Sequence, residues 1–389
     1  MRRSSHRGGA VLRLVDVAPL RPDPVVQSSG KEDVLPVLAE HLATARSVLS
    51  SAVFEYYDSG AGAELTRHEA AQAWDSFRLR PWPLRDVGQV DTSVDLFGHR
   101  YATPIAVAPS AFHQLASVDA EPATGSGAAA ARALFVLSTR SSVPVAAFGA
   151  HMGALDAPWW FQVYVMQRRD VTMRIVEAAV DAGARALVLT GDTPYVGRKR
   201  KVAGVRISMP DDEYLVNVRP YLPADIRSDN VAARAAAAQD PSITLETIDW
   251  LTRATGLPVL VKGVLRGDAA QDCVQAGAAG IVVSNHAGRQ LDRAVPSALA
   301  LAEVVAAVGD QVPVLVDGGI TSGLDVLVAL ALGARAVMIG RPALWALAAD
   351  GATGVTAALD ALTDDLRHSL ALAGLTRADA VPPDLVVRA

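Results

Sequence analysis

Residues 258–292 read PVLVKGVLRGDAAQDCVQAGAAGIVVSNHAGRQLD. A short apolar run ends at Lys262, an Ala-bearing stretch follows, and a second apolar run, Gly280 to Ser284, opens onto Asn285 and His286. Strands buried on both faces read as near-continuous apolar runs, and parallel neighbours need a crossover, usually a helix, between them. The stretch is therefore a βαβ unit. Outward from it the same alternation recurs on both sides, which gives strands at Ile105 to Ala108, Leu134 to Leu137, Phe161 to Tyr164, Ala186 to Thr190, Val259 to Lys262, Gly280 to Ser284, Val314 to Asp317 and Ala336 to Ile339. Those at 186, 259, 280 and 314 end on polar residues: Thr190 with Asp192, Lys262, Ser284 with Asn285 and His286, and Asp317. In a closed eight-stranded barrel such ends share one mouth, where barrel enzymes place their chemistry. An open doubly wound sheet would more often carry an early Gly-rich dinucleotide fingerprint, and the chain shows none. The expected fold is α/β, a (β/α)8 TIM barrel with an N-terminal helical extension.

The 389-residue length allows this, since one α/β barrel absorbs 250 residues or more. Residues 1–30, rich in Arg, Ser, Gly and Pro, read as a flexible N-terminal extension, and 31–389 as a single domain. From Val34 to Tyr57 the residues Leu35, Leu38, Leu42, Ala45, Leu49, Val53 and Tyr56 mark one amphipathic helix, capped near Ser59-Gly60. The charged, Pro-bearing stretch at about 201–242 reads as a lid loop over the mouth.

The chain is 51% hydrophobic and 20% charged, with 36 Lys and Arg against 41 Asp and Glu, a net charge of −5. No global basic field exists for nucleic acid or an anionic membrane, so small-molecule chemistry is the expectation. A lone Cys273 forms no internal disulfide and no thiolate metal cluster, which fits a reducing cytoplasm. The basic start, Met1-Arg2-Arg3, meets Arg13 and Asp16 before any export core develops, and no apolar run reaches membrane-spanning length.

The densest polar cluster is Ser284-Asn285-His286-Ala287-Gly288-Arg289-Gln290-Leu291-Asp292. A histidine at a strand end offers a base tunable near neutral pH, and an arginine three residues on offers a fork for a carboxylate. A capped turn with a solvated arginine is the other reading. Lys262, ending an apolar strand, would stabilise an anionic cofactor, form a Schiff base, or snorkel to the rim. Asp317-Gly318-Gly319 and Gly340-Arg341 end the seventh and eighth strands, whose loops recurrently bind phosphate in barrels. Glycine turns there also serve geometry alone. Asp192 is a candidate partner for His286 or a plain turn residue. Gln162 and Tyr164 alternate with Phe161 and Val163, so both face inward.

Together these motifs resemble the FMN-dependent 2-hydroxy acid oxidase and dehydrogenase family, which includes glycolate oxidase, lactate oxidase, mandelate dehydrogenase and hydroxymandelate oxidase. The resemblance runs from about Val34 to Leu375 and rests on Phe54-Glu55-Tyr56-Tyr57-Asp58-Ser59-Gly60-Ala61, Ala108-Pro109-Ser110-Ala111, Phe161-Gln162-Val163-Tyr164, Val261-Lys262-Gly263-Val264 and the clusters at His286, Asp317 and Gly340. It implies oxidation of a 2-hydroxy acid to a 2-oxo acid, with aryl substrates such as mandelate or hydroxymandelate included. By resemblance His286 is the base, Asp192 its partner, and FMN N5 the electron acceptor. Tyr56 and Arg289 hold the substrate carboxylate and Tyr164 contacts its hydroxyl oxygen. Ala108, Pro109, Ser110, Ser138, Gln162, Thr190 and Ser284 match flavin contacts. Lys262 stabilises the reduced ring, and Asp317, Gly319, Gly340 and Arg341 belong to the cofactor set toward ribityl and phosphate. Oxygen or another acceptor reoxidises the flavin, and relatives are commonly homotetramers.

The chain departs from the family pattern in several places. Lys199, seven residues after Asp192, stands where the family carries a second carboxylate-side arginine, and lysine cannot make the same bidentate fork. Ala287 replaces a glycine after the histidine, Thr321 replaces an arginine in the phosphate loop, and Arg140 takes a pocket position where relatives often place an aromatic or small residue. These departures carry the competing reading of an FMN-binding barrel with redirected or non-redox chemistry. A flavin-free barrel using Lys262 as a Schiff base is a further alternative.

Overall fold

The computed structural model describes residues 34–200 and 214–389. Eight parallel strands close a barrel: β1 Ile105–Val107, β2 Phe135–Ser138, β3 Trp159–Val163, β4 Leu187–Thr190, β5 Val259–Val264, β6 Gly280–Val283, β7 Val314–Asp317 and β8 Ala336–Ile339. Each pairs with its neighbours in sequence, and β8 returns to β1 through Val337 opposite Ile105. This is the (β/α)8 barrel expected from the alternation.

Strand residues alternate between two apolar layers. Val259, Val261, Ile281, Val283, Val314 and Val316 face outward into the layer beneath the helices. Ala106, Val136, Trp160, Val188, Leu260, Val282, Leu315 and Met338 face inward and fill the barrel. A strand repeats its face every second residue, so the residue two steps after each inward one also points to the axis, one layer higher. Those residues are Ala108, Ser138, Gln162, Thr190, Lys262, Ser284, Asp317 and Gly340. The period of two thus lifts a ring of small and polar side chains onto a close-packed apolar floor at the C-terminal mouth. At the opposite end the strands Val94–Leu96 and His99–Tyr101 pair and close the barrel with Val94, Leu96 and Tyr101, while Phe97 meets Trp160 edge to face at 5.4 Å.

The single helix expected over Val34 to Tyr57 is two helices, Pro36–Val48 and Ser51–Asp58. Leu49 is extended and ends the first, while the Ser50 hydroxyl accepts the Val53 N–H at 3.3 Å and starts the second. Capping by serine thus interrupts an apolar period that runs on without a break. Of the stretch 201–242, residues 201–213 lie outside the described residues. The remainder carries the helical turns Arg219–Tyr221, Ala224–Arg227 and Asn230–Ala236. It buries Leu215, Val218, Leu222, Ala233 and Ala237. Asn217 ties it to the loop after β2, accepting from Val145 N at 2.8 Å and donating to Ser141 Oγ at 2.8 Å. Among the described residues no helix is long and apolar enough to cross a membrane.

Candidate active site

The ring is wired before any ligand is considered. Gln162 is 1% exposed. Its Nε2 donates to Thr190 Oγ1 at 2.8 Å and its Oε1 accepts from Ser138 Oγ at 3.1 Å and Thr139 N at 3.2 Å. Across the ring, Lys262 Nζ meets Asp317 Oδ2 at 2.7 Å and donates to Ser284 Oγ at 2.6 Å. A lysine ammonium carries three donors, so one remains unspent, and Asp317 Oδ1 is buried without a partner. Beside them Gly340 is open, since a Cβ there would meet nothing nearer than Ser110 Oγ at 3.8 Å. Ser110 itself donates to the Ala108 carbonyl, and Pro109 lies between the two. A spare donor, a spare acceptor and an open glycine on an apolar floor suit a planar ring with hydrogen-bonding edges, which is the shape and chemistry of a flavin.

Above the ring, His286 Nδ1 lies 3.1 Å from Asp192 Oδ1 and 3.3 Å from Oδ2. Gly263 makes this pair possible, because at φ +107° a Cβ would come within 2.6 Å of the Asp192 side chain. Burial alone would raise the Asp192 pKa, but the facing His286 and Lys262 together hold it below the usual carboxylate value. The carboxylate thus orients Nδ1 and leaves Nε2 for chemistry. His286 and Ala287 have φ of 57° and 52°, so the segment turns through the left-handed region immediately after β6.

The third group is cationic. Arg289 donates from one nitrogen to the carbonyls of Tyr56 at 2.8 Å and Tyr57 at 2.7 Å, and its guanidinium lies 5.4 Å from the Tyr56 ring centre. Lys199 donates to the Tyr56 carbonyl at 3.2 Å, with Nζ 5.0 Å from the same ring. Burial, reinforced by Arg289 and Arg341, brings the Lys199 ammonium down to a pKa of about 7. Arg341 donates to the carbonyls of Tyr57 at 3.0 Å and Ala287 at 3.1 Å. Burial and the nearby Arg289 and Arg67 lower it to about 9. Burial raises the Tyr56 and Tyr164 hydroxyls above their ordinary value, with Asp192 and Tyr56 adding to the rise at Tyr164. Both phenols are therefore neutral donors.

The fold thus brings His286, Asp192, Tyr164, Tyr56, Arg289 and Lys199 to the mouth over the ring. Arg140 stands apart from the carbonyl cluster, donating to Ala237 O and lying 5.4 Å from the Tyr214 ring centre. Gly319 has a packing role as well, since a Cβ on it would fall 2.0 Å from the Ala70 carbonyl. Thr321 donates from its backbone N to Asp325 at 2.8 Å and is turned to capping the next helix.

Sequence reasoning missed the aromatic wall and its anchor. Phe112 lies 6.4 Å from Tyr56 and stacks on Tyr214 at 5.4 Å. The fully buried Glu121 accepts from His113 N at 3.1 Å and Ser142 N at 2.8 Å, joining the loops after β1 and β2. An isolated acid in the Ala-rich segment AEPATGSGAAA, with no basic neighbour, was the available signal.

The model of the FMN-dependent dehydrogenase family matches residues 45–388. A 4-hydroxymandelate oxidase of Amycolatopsis orientalis is 40% identical over 339 residues, covering 87% of this chain and 94% of that protein. An L-lactate oxidase of a Nostoc strain is 39% identical over 349 residues, with 87% and 94% covered. Among solved structures, mandelate oxidase with (S)-4-hydroxymandelic acid superposes with a TM-score of 0.81 at 38% identity, over 89% of this chain and 97% of that one. The match runs through the whole barrel and every segment that builds the mouth, so the chain belongs to the FMN-dependent dehydrogenase family and is an oxidoreductase with FMN as its cofactor.

Proposed function

We propose that the protein oxidises a 2-hydroxy acid to the corresponding 2-oxo acid, with His286 as the base. The observation that carries this reading is the His286–Asp192 pair at 3.1 Å, set above the Lys262–Ser284–Asp317 ring and beside Arg289 and Tyr56. Bound FMN supplies a two-electron acceptor. Ala108, Pro109, Ser110, Ser138, Gln162, Thr190, Lys262, Ser284, Asp317, Gly319, Gly340 and Arg341 are the residues that would hold it.

The substrate carboxylate is an anion, and Arg289 and Lys199 with the Tyr56 hydroxyl offer it charge-assisted donors. Tyr164, a neutral phenol, donates to the substrate hydroxyl oxygen. His286 takes one proton as two electrons leave the substrate carbon, and Asp192 stabilises the imidazolium that forms. The substrate loses two protons and two electrons in all: one proton goes to His286, and the other would pass with the two electrons to bound FMN and from there to an acceptor such as oxygen. The wall of Tyr56, Phe112 and Tyr214 suits an aryl side chain, in keeping with the mandelate-acting relatives. A Schiff base on Lys262 is disfavoured, because that amine is engaged by a carboxylate and a hydroxyl.

The test is the anaerobic visible spectrum of the holoenzyme with a panel of 2-hydroxy acids that includes both mandelate enantiomers. One member bleaches the flavin band, and His286→Gln keeps the band while slowing bleaching by about 10²–10⁴-fold. Unchanged reduction in the variant removes His286 from the role. A flavin that no member reduces favours the redirected-chemistry alternative.

A further inference from the structure

The cations of the mouth divide into those in direct contact with a carboxylate and those that are not, although Glu64 and Asp58 offset part of the charge on Lys199 and Arg341. Lys262 has Asp317, His286 has Asp192, and Arg67 has Asp58. Lys199, Arg289 and Arg341 meet backbone carbonyls and a tyrosine ring instead. Arg140 is the most poorly served. One of its nitrogens donates to Ala237 O, its guanidinium faces Tyr214, and Nη1 is buried with no partner. A buried guanidinium nitrogen left unpaired has lost its hydration without gaining a substitute. Such a group calls for a completing partner, and one beside the substrate chamber can find it in the ligand.

Arg140 belongs to the substrate chamber. It follows Ser138 of the ring, whose Oγ accepts the Arg140 N–H at 3.1 Å. Its charge acts on the hydroxyls of both Tyr56 and Tyr164. A row of rings runs from Tyr56, beside Arg289 and Lys199, to Tyr214, beside Arg140: Tyr56 to Phe112 at 6.4 Å, then Phe112 to Tyr214 at 5.4 Å. One substrate carboxylate placed on Arg289 and Lys199 leaves Arg140 without an anion at the far end of that row.

We propose that the substrate carries a second carboxylate, separated from its 2-hydroxy acid group by an aromatic ring or a short methylene chain, and that the Arg140 guanidinium binds it. The proposal rests on the 2-hydroxy acid reading and names the substrate class of that same site. It makes Arg140 a specificity-determining residue. The rival account is purely architectural, with Arg140 clamping residues 214–237 to the loop after β2 through Ala237 and Tyr214.

The experiment pairs each dicarboxylate with a partner lacking the second acid: 4-carboxymandelate with mandelate, and 2-hydroxyglutarate with 2-hydroxybutyrate. Anaerobic flavin reduction gives an efficiency for each with the holoenzyme and with Arg140→Leu and Arg140→Lys. In at least one pair the wild-type protein prefers the dicarboxylate by about tenfold or more, the scale of one charge-assisted hydrogen bond. Arg140→Leu removes that ratio and Arg140→Lys restores part of it. A wild-type protein without the preference overturns the proposal, as does an Arg140→Leu variant that loses both members of a pair equally. Calorimetric binding of 2-oxoglutarate against 2-oxobutyrate reads the same ratio without turnover. If no hydroxy acid reduces the flavin, the functional reading falls, and the calorimetric ratio still decides Arg140.

Discussion

Lys262 and Lys199 both serve the barrel mouth in opposite surroundings. Lys262 ends on Asp317 at 2.7 Å and Ser284 at 2.6 Å, whereas Lys199 ends on a neutral carbonyl at 3.2 Å with Arg289 and Arg341 as neighbours. The difference follows from what each region is built on. Lys262 stands on a strand, and the period of two places Asp317 and Ser284 in the same ring by construction. Lys199 stands on a loop that meets the helix Ser51–Asp58 and the loop after β6, none of which brings it a directly bonded carboxylate. The charge in the ring is paired before a ligand arrives. At the rim Lys199 and Arg341 feel Glu64 or Asp58 without bonding directly to either, so its charge state depends on what binds.

The largest expected effect comes from breaking the paired region. Lys262→Met leaves Asp317, 6% exposed, as an unpaired buried carboxylate, and should cost roughly 3–5 kcal/mol of stability. Denaturant unfolding at neutral pH measures it, and adding Asp317→Asn should return much of the loss. A loss below about 1 kcal/mol, the scale of an exposed pair, would mean that the pair is solvated and the contrast with Lys199 is false.

A smaller effect sharpens the open region. Burial and the neighbouring arginines favour the neutral amine of Lys199, and an arriving carboxylate favours the ammonium. Binding of a 2-oxo acid should therefore weaken as pH rises through about 7, where the free protein loses that charge. The change expected for one partly solvated charge is about three- to tenfold. Lys199→Arg keeps its charge and should bind more tightly at high pH with that titration gone. Wild-type and variant affinities that fall together with pH would remove Lys199 from that role.

The smallest effect tests the turn between the regions. Ala287 holds φ at 52°, a left-handed conformation costing an L-residue roughly 1–2 kcal/mol. Ala287→Gly relieves that strain and adds freedom to the unfolded chain, for a net gain of up to about 1 kcal/mol. Thermal unfolding should show a small rise in Tm. A fall would show that the alanine methyl packs usefully beside His286.

Much of the fold was legible because buried parallel strands announce themselves as apolar runs, and four of the runs ended where a polar residue joined the mouth. The helix break at Leu49-Ser50 was not, because capping by one serine is a weaker signal than the apolar period running across it. Of the candidate site, the strand-end residues were readable one by one. Phe112, Tyr214 and Glu121 were not, since an aromatic or an acid in a loop or Ala-rich helix has no period to mark what it faces. Gly319 was read as a phosphate approach, and its contact with Ala70 adds a packing reason that the spacing does not contain.

The sequence alone therefore determined the barrel and the ring above its floor, because strand periodicity is local and an inward residue fixes the one two places on. Only the tertiary structure decided which cations meet a carboxylate. Lys199, Arg289, Arg341 and Tyr56 come from distant segments, and their mutual burial arises when loops close over one another. The free energy of a charge depends on everything within a few ångströms of it, whichever part of the chain supplies those atoms.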